Sequence, residues 1–250
     1  MSLNLLLLSS SRVAETAFLQ HAVDLIQSHL ASCFTDNKDH QNKKLVFIPY
    51  AGVTISYDEY FEIARRPFAE LGYNLSSIHQ YTSPQDAILQ ADVIIIGGGN
   101  TFELVNQLYK HELIPLITEQ LKSGKPYIGW SAGSNIAAPT IRTTNDMPIV
   151  EPASFNALNL LPFQINPHYL EVTIDGHQGE TREQRIREFL EINPGQRVVG
   201  IPEGTALQLS GSQLKYVGSQ AGVIFSSVTG EATKTFITST TNINFLLDTI

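Results

Sequence analysis

Tyr127-Ile128-Gly129-Trp130-Ser131-Ala132-Gly133-Ser134-Asn135 is the stretch that decides the fold. A short apolar run ends in Gly-x-Ser-x-Gly and small residues follow, the pattern of a strand that turns sharply into a helix. Glycines at 129 and 133 let the backbone turn without a Cβ clash and leave room for a substrate. A serine at such a turn is a candidate nucleophile. Three fixed residues at ~7% usage each arise by chance in roughly one chain in ten of this length. The surrounding sequence therefore has to decide.

Working outward, short apolar runs alternate with helical periods. Residues 3–8, Leu45–Ile48, Asp92–Ile96 and 127–130 read as strands, the first of them a buried strand rather than a secretory leader. Residues 12–32 read as a helix with Ala14, Phe18, Ala22 and Ile26 on one face. Further helices are expected at 57–71, from Ser83-Pro84, at 101–122 with a break between Lys110 and Pro115, and at 132–138. This β-α-β-α order predicts an α/β fold, a mostly parallel sheet with helices on both faces. Toward the C-terminus, Leu207–Leu209, Leu214–Val217, Val223–Phe225 and Thr233–Phe236 are short runs between glycines, expected to form a small antiparallel extension closing one edge of the sheet. With no linker or repeat, residues 1–250 read as a single domain.

Bulk properties narrow the function. The 250-residue chain is 42% hydrophobic, enough for one substantial core, and carries a net charge of −8. It has no Lys/Arg cluster to neutralise phosphates, so no nucleic-acid partner is expected. No apolar run reaches the ~18 residues of a membrane helix. The single cysteine, Cys33, rules out an internal disulfide and fits a reducing compartment, so a soluble, cytoplasmic protein is expected. No metal-ligand spacing is present, and neither metal nor cofactor is expected.

In an open parallel sheet, ligands bind beyond the carboxyl ends of the strands. Four such ends carry polar chemistry: Ser131, Gly97-Gly98-Gly99-Asn100-Thr101, Asn166-Pro167-His168-Tyr169 and Pro202-Glu203-Gly204. A serine hydroxyl needs a base. Of seven histidines, His168 stands out because it follows a predicted strand and Pro167 stiffens the backbone before it. Glu203, at the next strand end, is the candidate to hold the imidazole in one tautomer. The order Ser131, His168, Glu203 swaps base and acid relative to α/β-hydrolases, which argues against that fold. Each position also admits a plainer reading: a small residue at a turn, a structural histidine, an exposed turn carboxylate.

The Gly97–Thr101 loop fails both nucleotide-binding patterns, since Phe102 occupies the third glycine position and no Gly-Lys-Ser/Thr follows. Asn100 with Glu103 reads as an N-cap and capping box, leaving glycine N–H groups to face an anion. The N–H groups of Gly99 and Ala132 are the candidate oxyanion hole. Arg182, in the first turn after a second capping box at Thr181–Gln184, opposes the helix dipole by ~0.3–1 kcal/mol, the kind of local cost that marks a ligand role or simply a surface residue. The polar loop Arg142–Pro148 reads equally as a pocket lining or as surface.

Together, GGGNTF (97–102), GWSAGSN (129–135), PTIRTTNDMPIV (139–150), INPHY (165–169), GETREQRIRE (179–188) and PEG (202–204) resemble the peptidase E family of α-aspartyl dipeptidases, from the N-terminal strand to about residue 210. The resemblance implies a flavodoxin-like sheet related to the class I glutamine amidotransferases, with serine in place of cysteine. It implies hydrolysis of small Asp-X peptides by Ser131, His168 and Glu203. It places recognition of the substrate carboxylate on Arg182 and makes Asp146 a second acid, structural or ammonium-binding; these two and Asn100 are the candidate substrate-binding residues. Ser134 departs from the alanine often found there. A monomer or small homo-oligomer is expected. The alternatives are a cyanophycinase-like or other amidase or esterase on the same scaffold, and a non-catalytic anion binder.

Overall fold

A computed structural model describes residues 3–34, 42–171, 179–227 and 232–248. His40 and His177, two of the seven histidines weighed above, lie outside them.

The chain forms β1 (Asn4–Leu8), α1 (Val23–Cys33), β2 (Leu45–Ile48), α2 (Tyr57–Glu70), β3 (Leu75–Ser77), α3 (Pro84–Gln90), β4 (Val93–Ile96), α4 (Thr101–Lys110), α5 (Leu113–Lys122), β5 (Tyr127–Trp130) and α6 (Ala132–Asn135). Then follow β6 (Gln164–Pro167), α7 (Arg182–Ile192), β7 (Arg197–Ile201), β8 (Ala206–Ser210), β9 (Gln213–Val217), β10 (Gly222–Ser227) and β11 (Ala232–Ile237). Among these residues no helix is long and apolar enough to cross a membrane.

Two sheets result, one of seven strands in the order β3-β2-β4-β5-β1-β8-β9 and one of four in the order β11-β10-β7-β6. In the large sheet β1 to β5 pair in parallel, and β8 and β9 add antiparallel on the β1 edge. The parallel strands are apolar at every position because both faces are covered. Leu5, Leu7, Val46, Ile48, Ile94 and Ile96 pack under α4 and α5, while Leu6, Leu8, Leu45, Phe47, Val93 and Ile95 pack under α1 and α2. That alternation is the period-two geometry of a strand, and each fully buried aliphatic side chain contributes ~1.5–3 kcal/mol.

The small sheet departs from expectation. The strands at β6 and β7 do not extend the large sheet, and the C-terminal runs do not form one meander: β8 and β9 join the large sheet, β10 and β11 the small one. The small sheet turns Ile165, Val199, Ile201 and Ile224 into the main core and covers Val198, Val223 and Phe225 with Ile186 and Leu190 of α7. Burying these side chains against two different layers is what splits the strands.

The expected helix over 12–32 is also shorter. Only Val23–Cys33 is α-helical, after a single 3-10 turn at Gln20–Ala22. Ala14 and Leu19 have φ of 47° and 56°, which no α-helix accommodates. The apolar spacing was still informative about burial, since Phe18, Ala22 and Ile26 pack into the same core layer.

Candidate active site

β5 ends in the turn that the sequence anticipates. Ser131 has φ 52° and ψ −112°, a sparsely populated region for a residue with a side chain. Its backbone is held on both sides: its N–H donates to Leu8 O (3.1 Å), and its carbonyl accepts from the N–H groups of Ser134 and Asn135 (both 2.9 Å). Close approach explains Gly133, where a Cβ would stand 2.2 Å from Ile96 O. Ser134 braces the turn from below. Its buried hydroxyl lies 2.6 Å from Leu8 O and 2.9 Å from Gly129 O, tying β1 to β5.

His168 follows β6 at φ 53°, a second side chain in the left-handed region. Its ring spans two partners. Nε2 is 2.9 Å from Ser131 Oγ, and Nδ1 is 2.9 Å from Glu203 Oε1. A carboxylate can only accept, so Nδ1 carries the proton and Nε2 is left to accept from the serine hydroxyl. Glu203 sits beyond β7, in a turn that Gly204 completes at φ 77°.

Ser9 and Ser10 hold these turns, and sequence reading gave them no role. Ser9 Oγ accepts from the His168 N–H (2.9 Å) and donates to Ile201 O (2.7 Å). Ser10 Oγ accepts from the Gly204 N–H (3.2 Å). Both serines are buried at the end of β1. The available signal was their place: two hydroxyls directly after a fully apolar strand must find partners if buried.

The Gly97–Asn100 loop lies against the elbow, where a Cβ on Gly98 would stand 2.9 Å from Ser131 Cβ. Gly99 has φ 135°, and a Cβ there would stand 2.1 Å from Ala51 O, so only glycine fits. Among the described residues the N–H groups of Gly99 and Ala132 have no hydrogen-bond acceptor. The cap on α4 differs in one respect from the expected box. Asn100 Oδ1 accepts from the Glu103 N–H (3.1 Å), but the Glu103 carboxylate turns to Asn106 (3.0 Å) and Gln107 (2.5 Å) instead of reaching back. Asn100 Nδ2 donates to Met147 O (2.9 Å), so both polar atoms of this side chain are engaged within the protein.

Asp146 caps α4 from another loop. Its Oδ2 accepts from the Thr101 N–H (2.8 Å), the Thr101 hydroxyl (2.6 Å) and the Thr144 hydroxyl (3.1 Å). Thr144, Asn145 and Asp146 thus line the site, while Arg142 of the same loop turns away to Asn193. With Ser131, Asn135 and His168 they enclose a pocket of about 20 Å³. Asn135 donates to Ile165 O (2.7 Å), and its Oδ1 is buried without a partner among the described residues.

Arg182 is the first residue of α7, and its guanidinium reaches back toward Pro167 O (3.5 Å) at the end of β6. Half-burial pulls its pKa down from the usual arginine value, with Arg185 adding to the effect. The carboxylates of Glu203 and Asp146 pull the other way. Arg182 remains a cation at neutral pH. It makes no ion pair among the described residues. The structure thus brings Ser131, Ala132, Asp146 and His168 to one pocket, with Glu203 bonded to His168 and Arg182 reaching Pro167 at its border, while Gly99 lines the adjoining cavity. No group of three His, Cys, Asp or Glu side chains among the described residues could hold a metal ion.

The chain is similar to several known proteins. The model for Peptidase family S51 matches residues 5–217. Peptidase E of Shewanella denitrificans (strain OS217) is 52% identical over 225 residues, 90% of this chain and 92% of that protein. Peptidase E of Shewanella baltica (strain OS155) is 53% identical over 225 residues, 90% of this chain and 91% of that protein. Among solved structures, a candidate peptidase E from Listeria monocytogenes EGD-e aligns with a TM-score of 0.65 at 25% identity, over 88% of this chain and 100% of that one. A peptidase from an acI-B1 Actinobacterium shares the fold, with a TM-score of 0.70 at 18% identity over 97% of both chains.

Proposed function

The chain belongs to Peptidase family S51 and is a serine-type peptidase, and from that premise we propose that it cleaves dipeptides beginning with aspartate through Ser131, His168 and Glu203. The observation that carries this reading is the unbroken chain Ser131 Oγ–His168 Nε2, His168 Nδ1–Glu203 Oε1, with 2.9 Å at each step. His168 takes the serine proton as Oγ attacks the carbonyl carbon. Negative charge developing on the carbonyl oxygen meets the N–H groups of Gly99 and Ala132, each such donor contributing ~3–4 kcal/mol to transition-state stabilisation. His168 then protonates the leaving amine, and water releases aspartate from the acyl-enzyme. Glu203 holds the imidazole in the productive tautomer and stabilises it when charged. Asp146 commits its Oδ2 to Thr101 and Thr144, so Glu203 is the acid of the triad.

Recognition of aspartate needs a cation for its side chain and acceptors for its ammonium. Arg182 supplies the first as a planar fork suited to a carboxylate. The 20 Å³ pocket is the candidate for the second: Asp146 and Asn135 line it, Asn135 Oδ1 has no partner among the described residues, and the space holds about one small polar group. The test is hydrolysis of Asp-Leu against Asn-Leu. Replacing the carboxylate by an amide leaves Arg182 unpaired, and kcat/KM is expected to fall about 10²-fold or more, corresponding to ~3 kcal/mol. Equal values would remove Arg182 from substrate recognition.

A further inference from the structure

A second cavity, of about 540 Å³, runs along the glycine loop and is lined by Gly98, Gly99 and Asn100. Gly98 and Gly99 form the part of its wall nearest the nucleophile: a Cβ on Gly98 would stand 2.9 Å from Ser131 Cβ. The rest is largely apolar, from Phe18, Ile55, Tyr60, Ile63 and Ile149. Tyr60 spends its hydroxyl inside the protein, donating to Gly98 O (2.9 Å) and accepting from Trp130 Nε1 (3.1 Å). Phe18 stands edge-on to the Tyr60 ring at 6.3 Å. The volume falls within the ~300–1,000 Å³ typical of small-molecule sites.

Arg12 completes this wall. It is exposed, lines the cavity, and makes no ion pair or hydrogen bond among the described residues. It lies three residues after Ser9, whose hydroxyl holds the His168 backbone. Arg12 is thus at most ~10 Å along the chain from the segment that positions the imidazole. His168 delivers its proton to the nitrogen of the departing residue. That residue carries a free carboxylate when the substrate is a dipeptide, and its own side chain must go somewhere beyond Ser131.

We propose that this cavity is the subsite for the released residue, that it favours an apolar side chain there, and that Arg12 reads the free carboxylate of that residue. The proposal rests on the aspartyl dipeptidase reading above. It gives the enzyme a reason to prefer dipeptides over longer chains, because a third residue would replace the carboxylate by a neutral peptide group facing Arg12.

The test measures kcat/KM for Asp-Leu, Asp-Gly, Asp-Leu amide and Asn-Leu with wild type, Arg12→Ala and Ile55→Ser. Thermal midpoints confirm that the variants are folded. Asp-Leu is expected to exceed Asp-Gly about tenfold or more, since the isobutyl group is removed from water. It should exceed Asp-Leu amide about tenfold, from a charge-assisted hydrogen bond at an exposed arginine. Arg12→Ala brings the acid-to-amide ratio close to one and leaves the Asp-Leu to Asp-Gly ratio largely in place. Ile55→Ser does the reverse. If Asp-Leu outpaces Asn-Leu but equals its amide in wild type, or if Arg12→Ala leaves the acid-to-amide ratio intact, the Arg12 assignment is overturned and the aspartate reading stands. If no aspartyl peptide is cleaved, both fall. Equal rates for Asp-Leu and Asp-Gly, with a sedimentation mass of twice the chain that Ile149→Asp halves, overturn the subsite and assign the cavity to a second copy of the protein.

Discussion

The two sheets contribute unlike things to one cleft. The seven-stranded sheet supplies the proposed nucleophile and oxyanion donors, from turns packed so tightly that Gly99 and Gly133 admit no Cβ. The four-stranded sheet supplies the imidazole, the carboxylate and, through α7, the guanidinium. Glu203 and His168 have side-chain exposures of 54% and 34%, whereas residues 132–135 after the elbow are buried. The proposed catalytic geometry is therefore a property of how the two sheets meet, and the Ser9 and Ser10 hydroxyls, with the Asn135 amide on Ile165 O, join them there.

Substitutions on each side of that seam should separate chemistry from assembly. The largest effect is expected for Ser131→Ala on the large sheet. It removes the proposed attacking atom and leaves the packing intact, so kcat should fall about 10⁴–10⁶-fold in a dipeptide assay while the thermal midpoint stays put. Glu203→Gln on the small sheet keeps the shape and loses the charge, and a fall of about 10²–10⁴-fold is expected. A Glu203→Gln enzyme as fast as wild type would reduce the small sheet's part to the imidazole alone.

Acid should expose a weakness confined to the large sheet. His29 of α1 is buried, and burial pushes its pKa down to about 4, partly offset by the backbone of Tyr127. The unfolded chain then binds the proton that the folded chain refuses, so stability is intact above pH ~6.5 and is lost as pH falls toward 4, by on the order of 3 kcal/mol. Urea unfolding of His29→Leu across that range should show a much flatter midpoint than wild type. On the small sheet, Lys234 and Arg187 hold the Glu183 carboxyl below its ordinary value, so its contribution is lost only at lower pH, as the carboxyl itself protonates. The smallest effect is expected at the seam. Ser9→Ala strands the buried His168 N–H and Ile201 carbonyl at a cost of ~1–3 kcal/mol. It should lower the thermal midpoint and kcat together, whereas a loss of stability with full activity would show that the sheets keep their register without it.

The large sheet was legible in the sequence because its strands are apolar at successive positions and their partners lie nearby in the chain. β2 and β5 matched to the residue. The small sheet was not, because β6 contains Asn166 and Pro167, buried all the same, and because pairing β7 with β10 depends on contacts that local patterning does not encode. The 12–19 segment imitated a helix for a physical reason: Phe18, Ala22 and Ile26 do share a core layer, but Leu19 reaches it through a left-handed turn. In the candidate site, strand ends and motifs led to Ser131, His168 and Glu203, which the fold places within hydrogen-bonding reach of one another. The hydroxyls of Ser9, Ser10, Thr101 and Thr144 were not legible, since a hydrogen-bonding role for so common a residue emerges only when the fold shows what it faces.

The left-handed backbone at Ser131 and His168 sets evolution a problem. Each position would relax by ~1–3 kcal/mol if glycine replaced it, and glycine at either one ends the proposed chemistry. A population selected only for heat resistance would drift toward inactive, calmer proteins at these two sites. Durability must therefore be improved elsewhere, in the helices and the outer strands.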